Sequence, residues 1–213
     1  MITSIFSPEN YHIGASVAAF FTAMLIPLAA RYVLYLIPAF KQVRDLNKEA
    51  ADSRGNRLNY PAIQKRSKIW GLLTHLGIFT LIIPFSITTE SQAWWQIPLD
   101  IFVILMFYDF FYYLVHRFLF HENGAFKGPL VWVHAVHHRQ KNPCRMDSNY
   151  LHPLETCIGL SLYGASIGVL AMMMGDFHIV TIVITAIAFS EINQHNHDLM
   201  EADHFPFKYL KYA

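Results

Sequence analysis

The sequence predicts an all-α fold: a polytopic membrane bundle of about five spanning segments, capped on its cytoplasmic side by a histidine-rich metal site. Three observations predict it. Hydrophobic residues make up 54% of the 213 and charged residues only 15%, whereas about a quarter of a soluble globule is charged. Apolar stretches recur along the chain, separated by short polar turns and one basic segment. Five histidines, His116, His121, His134, His137 and His138, fall within residues 116–138.

Residues 11–30 contain no Asp, Glu, Lys or Arg, and about 20 apolar residues on a helix span the hydrocarbon core. No basic stretch precedes this run and it is too long for a cleaved signal, so it reads as the first membrane helix. Residues 32–40 are aromatic-rich and suit a membrane interface. Residues 41–68 then carry Lys41, Arg44, Lys48, Arg54, Arg57, Lys65, Arg66 and Lys68 against Asp45, Glu49 and Asp52. They read as a solvated loop with a turn at Ser53-Arg54-Gly55-Asn56, cytoplasmic by the excess of basic residues. Residues 69–88 form a second span broken by Pro84, and the outer turn after it has no Lys or Arg but holds Trp94 and Trp95. Residues 98–115 return as a third span and deliver His116. Residues 154–174 and 177–190 make a hairpin turning at Gly175 and Asp176, so His195 comes back to the side of the other histidines. The expected organisation is a helix plus basic loop over 1–68 and a histidine-bearing membrane domain over 69–213.

The histidine spacing points to a metal centre. At about 100° per helical residue, His137 and His138 lie roughly 60° and 40° to either side of His134. His116 and His121 are about 140° apart, so they face one ion only if the helix ends between them, and Glu122, Asn123 and Gly124 supply that ending. An imidazole-rich set suits iron, copper or zinc, while Mg or Ca would require oxygen ligands. The net charge of +1 and the lack of a basic groove interleaved with aromatics give no case for nucleic acid. Cys144 and Cys157 form no CxxC and read as free thiols.

With HRFLFH at 116–121, HAVHH at 134–138, LHPLE at 151–155 and QHNHD at 194–198, the chain resembles the fatty acid hydroxylase and sterol desaturase superfamily from about residue 98 onward. The resemblance implies a four-helix membrane core under a cytoplasmic di-iron site that uses O2 to hydroxylate or desaturate lipid C–H bonds. It matches His116 and His121 to a first histidine box, His134, His137 and His138 to a second, and His195 to a single histidine after the last hairpin. It implies an external electron donor, a cytochrome b5, ferredoxin or reductase, since no flavin or nicotinamide fingerprint such as GxGxxG occurs. The superfamily carries a third box, HxxHH, beyond this point. Neither His197 nor His204 has its spacing, so the sequence reads as truncated before that box, and the 213 residues alone are expected to bind metal poorly and turn over little.

Other polar residues are weaker candidates. Asp109, Tyr113 and His116 share one helical face, and Asp109 is expected in an inward polar network that orients a ligand. Glu191, four residues before His195, is placed to ligate or orient it, and His152 is a possible ligand or a helix cap. His12, His75 and His178 stand alone and read as structural. Three rivals remain: a zinc-dependent membrane hydrolase, which lacks an HExxH-type base; a haem protein, which needs ligands on facing helices; and a non-catalytic membrane subunit keeping the fold. Bacterial inner membrane and ER membrane are both compatible with the sequence.

Overall fold

The structure is a computed structural model and describes residues 7–124 and 126–200. Seven α-helices occur among them: α1 (Ile13–Leu34), α2 (Pro38–Gly55), α3 (Tyr60–Leu81), α4 (Gln96–Val115), the one-turn α5 (Val131–His134), α6 (Pro153–Met174) and α7 (Ile179–His195). Four segments are long and apolar enough to cross a membrane: Pro8–Leu34, Tyr60–Phe85, Gln96–Phe120 and Pro153–Met174. Ile179–His195 is a shorter apolar helix. The protein is therefore an all-α polytopic bundle, with the fifth expected span realised as the short α7.

Helices α3 and α6 pack together, α1 packs on α7, and α4 lies against both α6 and α7. Ile78, Ile104, Leu160, Tyr163, Ile167 and Ile182 fill the centre. Gly164 makes the α3–α6 approach possible, because a Cβ there would sit 2.9 Å from Ile78 Cγ1; small residues let membrane helices approach closely.

The end opposite the histidines is tied by exchanged backbone bonds. Pro84 has no N–H for the Thr80 carbonyl, and α3 gives way to a 3-10 turn at Ile83–Phe85. The Tyr11 hydroxyl donates to Thr80 O at 2.8 Å, and His12 N donates to Pro84 O at 2.9 Å. Strand β1 (Ile87–Thr88) then pairs in parallel with the later Phe177–His178 strand. That pairing closes the α6–α7 turn, where Gly175 at φ 94 takes the left-handed conformation that costs glycine nothing.

Residues 41–68 are not the solvated loop that their charge suggested. They form most of α2 and the start of α3, each helix opening with a proline in its first turn. Arg54 and Asn47 are buried. Arg54 donates to Asp147 and to the Asn142 carbonyl. Asn47 bonds the backbone of Leu199 in both directions at 3.0 Å. The charges are amphipathic helix faces gripping the histidine end of the bundle, and a count of basic residues does not reveal that.

Candidate metal centre

Helix α4 does not stop cleanly before the histidines. It widens into a π-helical turn, His116–Phe120, and the chain then extends at His121 (φ −116, ψ 158). The ending expected between His116 and His121 is thus present, with a wider turn than an α-helix supplies. A π turn bonds i to i+5, and here it carries residues five apart toward one point: His116 Nε2 and His121 Nε2 are 2.9 Å apart. After the turn a hairpin pairs β2 (Glu122–Asn123) with β3 (Phe126–Lys127). Gly128 then folds the chain back, its N–H on His121 O at 3.1 Å. A Cβ at Gly128 would lie 2.4 Å from Leu119 O, so only glycine fits.

The return brings in α5 and the 3-10 turn His137–Arg139. His134 is 2% exposed, its ring 4.6 Å from that of His116 and 4.8 Å from that of His121. Donor atoms of His116, His121 and His134 all lie within 4.8 Å of one another. His138 completes the group, Nε2 to Nε2 with His134 at 2.9 Å. The buried Glu155 carboxylate lies 2.6 Å from His134 Nδ1. His137 points away from the four and meets His197, Nε2 to Nε2 at 3.2 Å.

The donor spacing fits metal binding. Two nitrogens each about 2.1 Å from one ion are roughly 3 Å apart when they sit on adjacent coordination positions. Burial pushes the His137 imidazole down to about 4, with the neighbouring His197 as the next cause. Burial also lowers His121 and His138, helped by the proximity of His134. These rings stay neutral at ordinary pH, the form in which imidazole binds a cation.

The structure distributes the other candidates differently. His195 sits on α7's last turn with Nδ1 3.9 Å from Asp198 Oδ2, and the histidine that α7 brings to His137 is His197. The HxxHH spacing sets His197 aside as a ligand, and the structure brings it to His137 all the same; its Nδ1 donates to Asn193 O at 2.7 Å, one of the carbonyls a helix end leaves free. Glu191 does not orient His195: it takes Arg31 on one oxygen and Arg145 on the other, at 2.6 Å. His152 caps α6, its Nδ1 accepting from Leu154 N at 3.2 Å. Asp109 is on the exposed face of α4 rather than in an inward network. Tyr113, also exposed, bonds Arg117, while its neighbour Tyr112 lies against His116 at 5.5 Å. His204 lies outside the described residues.

Beside His195 and Asp198 opens a groove of about 750 Å³ between α1, α2 and α7, walled by Leu34, Tyr35, Val43, Met146 and Ile192.

A family model described as fatty acid hydroxylase matches residues 101–213. Methylsterol monooxygenase 1 of Gallus gallus is 33% identical over 69 residues, which are 32% of this chain and 22% of that protein. The chain thus spans about a fifth of the length of that curated relative. No solved structure matches. Since the family match covers more than half of the sequence and takes in all six clustered histidines, the chain belongs to the fatty acid hydroxylase family.

Proposed function

We propose that the chain is part of a membrane-bound di-iron oxidoreductase that uses O2 to hydroxylate or desaturate a lipid, such as a fatty acid or sterol. The observation that carries this reading is the meeting of six histidines at one end of four membrane-length helices, with paired Nε2 atoms at 2.9, 2.9 and 3.2 Å. His116, His121, His134 and His138 would hold one metal, and His137 and His197 would contribute to a second. Iron bound there would supply O2 activation for oxidation of an unactivated C–H bond. In hydroxylation one oxygen atom enters the lipid and the other leaves as water, with two electrons and two protons from an external donor. A cytochrome b5, ferredoxin or reductase docking on the cytoplasmic face would serve.

The chain's own residues prepare the site for that chemistry. Phe120 stacks on His134 at 5.5 Å and Tyr112 covers His116, which keeps bulk water from the inner rings. The apolar walls of the groove beside α7 suit an acyl chain or sterol body arriving from the bilayer. Membership of the family and the likeness to a sterol monooxygenase support an oxygenase over a zinc hydrolase.

The test is elemental analysis of the protein made from its full reading frame and purified in detergent, with His134→Ala alongside. We expect about two irons per chain, lost in the variant. Zinc in place of iron, or no metal in either protein, would overturn the reading.

A further inference from the structure

Glu155 is a buried acid to which the proposed chemistry gives no part. It stands in the first turn of α6, 6% exposed, at the histidine end of the bundle. A carboxylate in such a place is costly and is kept where it has a partner or a task. Its Oε1 is 2.6 Å from His134 Nδ1, and its Oε2 is buried with no hydrogen-bond partner among the described residues.

The chemistry of this contact fixes more than a distance. An ionised carboxylate only accepts hydrogen bonds, so the proton belongs to His134 Nδ1 and the lone pair to Nε2. That Nε2 is the atom facing His138 at 2.9 Å. Phe120 lies nearly parallel to the same ring, at 19°, so the imidazole is gripped at its edge and on one face. Glu155 reaches it from a different helix: Pro153 sets the first turn of α6 and His152 caps it, and the acid therefore comes to the histidine on a rigid support. Among the described residues, His134 is the one of the six clustered histidines that carries a carboxylate on its remote nitrogen.

We infer that Glu155 is a positioning residue for the metal centre: it holds His134 in the tautomer and orientation that present Nε2 to the ion, and its charge makes that nitrogen a stronger donor. The inference rests on the metal-binding reading above. Carboxylates placed in this way change metal affinity by about 10- to 100-fold.

The test titrates the metal-free protein in detergent with Co(II), whose visible absorption reports ligand number, for wild type, Glu155→Gln and Glu155→Ala, and records metal-free thermal melting of each. Glu155→Gln keeps the shape and an acceptor oxygen but not the charge. We expect it to melt like wild type, to reach the same Co(II) stoichiometry and spectrum at saturation, and to bind about 10-fold more weakly. Glu155→Ala is expected to bind more weakly still. Unchanged Co(II) affinity in Glu155→Gln would make the contact a structural ion pair and overturn the inference. Loss of one Co(II) per chain with an altered spectrum would make Glu155 a direct ligand and overturn it equally. Should Glu155→Gln fail to fold, Glu155→Asp, which keeps the charge one methylene short, is expected to show weaker binding at full stoichiometry. Failure of the wild type to bind Co(II) or iron is a separate result that removes the metal centre itself.

Discussion

The four-histidine group and the His137–His197 pair are braced by two residues of one 3-10 turn, Arg145–Asn149, and the two braces are unequal. On one side Asp147, 1% exposed, accepts from Arg54, from Tyr60 at 2.7 Å and from the Cys144 N–H at 2.8 Å. This locks the segment between His138 and Glu155 onto α2 and α3. On the other side Arg145 reaches Glu191 and Asp198, each at 2.6 Å, with Arg31 sharing Glu191. This ties the residues next to His197 to α7 and α1, but Arg145 and Glu191 keep 25% and 34% of their side-chain surface, and only Asp198, at 6%, is buried on this side. Removing one partner of a buried pair strands a charge at about 3–5 kcal/mol, whereas an exposed pair is worth about 0.2–1 kcal/mol and weakens in salt. The four-histidine side is therefore the rigid half of the centre and the pair side the adjustable half.

Asp147→Ala should break the comparison at its strongest point. We expect a loss of about 3–5 kcal/mol, read as a large fall in melting temperature, while Arg145→Met, whose partner Glu191 is partly exposed, costs less than that and loses part of its effect at high salt. Equal costs for the two would mean that burial does not separate the braces. The next effect sharpens the assignment of the pair. His197→Ala is expected to lose about half of the bound metal, and His195→Ala to keep nearly all of it, by elemental analysis; the reverse result would return His195 to the site. The smallest effect is acid lability. His137 in the folded chain is pushed down to about 4 from 6.5, so below about pH 6.5 the unfolded chain takes up a proton that the native ring refuses. The stability that this ring contributes is complete above 6.5 and drains away as the pH falls toward 4. The metal-free protein should melt a few degrees lower at about pH 5 than at about pH 7. His197→Ala, which removes a neighbouring imidazole, should reduce that difference.

Much of the bundle was legible because lipid imposes a simple rule on spanning segments, and four of the five expected apolar runs correspond to membrane-length helices. Counting around a helix and finding its end brings His116 and His121 to one side, but the same count keeps His137 beside His134 and His138, whereas the helix ends at His134 and His137 turns to His197. What sequence left hidden has a common physical origin. A helix that is apolar on every side carries no stripe to say which face is inside, so Asp109 and Tyr113 were assigned inward while Tyr112 has that place. Charge counted without its periodicity made a loop of α2. Glu155 stood in LHPLE beside His152, but its contact with His134 crosses from α6 to α5, and Glu191 was read against its own helix when its partners came from Arg31 and Arg145.

The π turn at His116–Phe120 gives the centre a vulnerability of a different kind. The turn carries one residue more per revolution than an α-helix would need, and the meeting of His116 with His121 depends on that surplus. Were the same five residues wound as ordinary α-helix, with every hydrogen bond made and every histidine still encoded, His121 would lie about 140° around the cylinder from His116. The winding of this pentapeptide is thus under the same constraint as the identity of the ligands, and the centre can be dismantled by a change that touches no metal-binding residue and leaves the helix more regular than before.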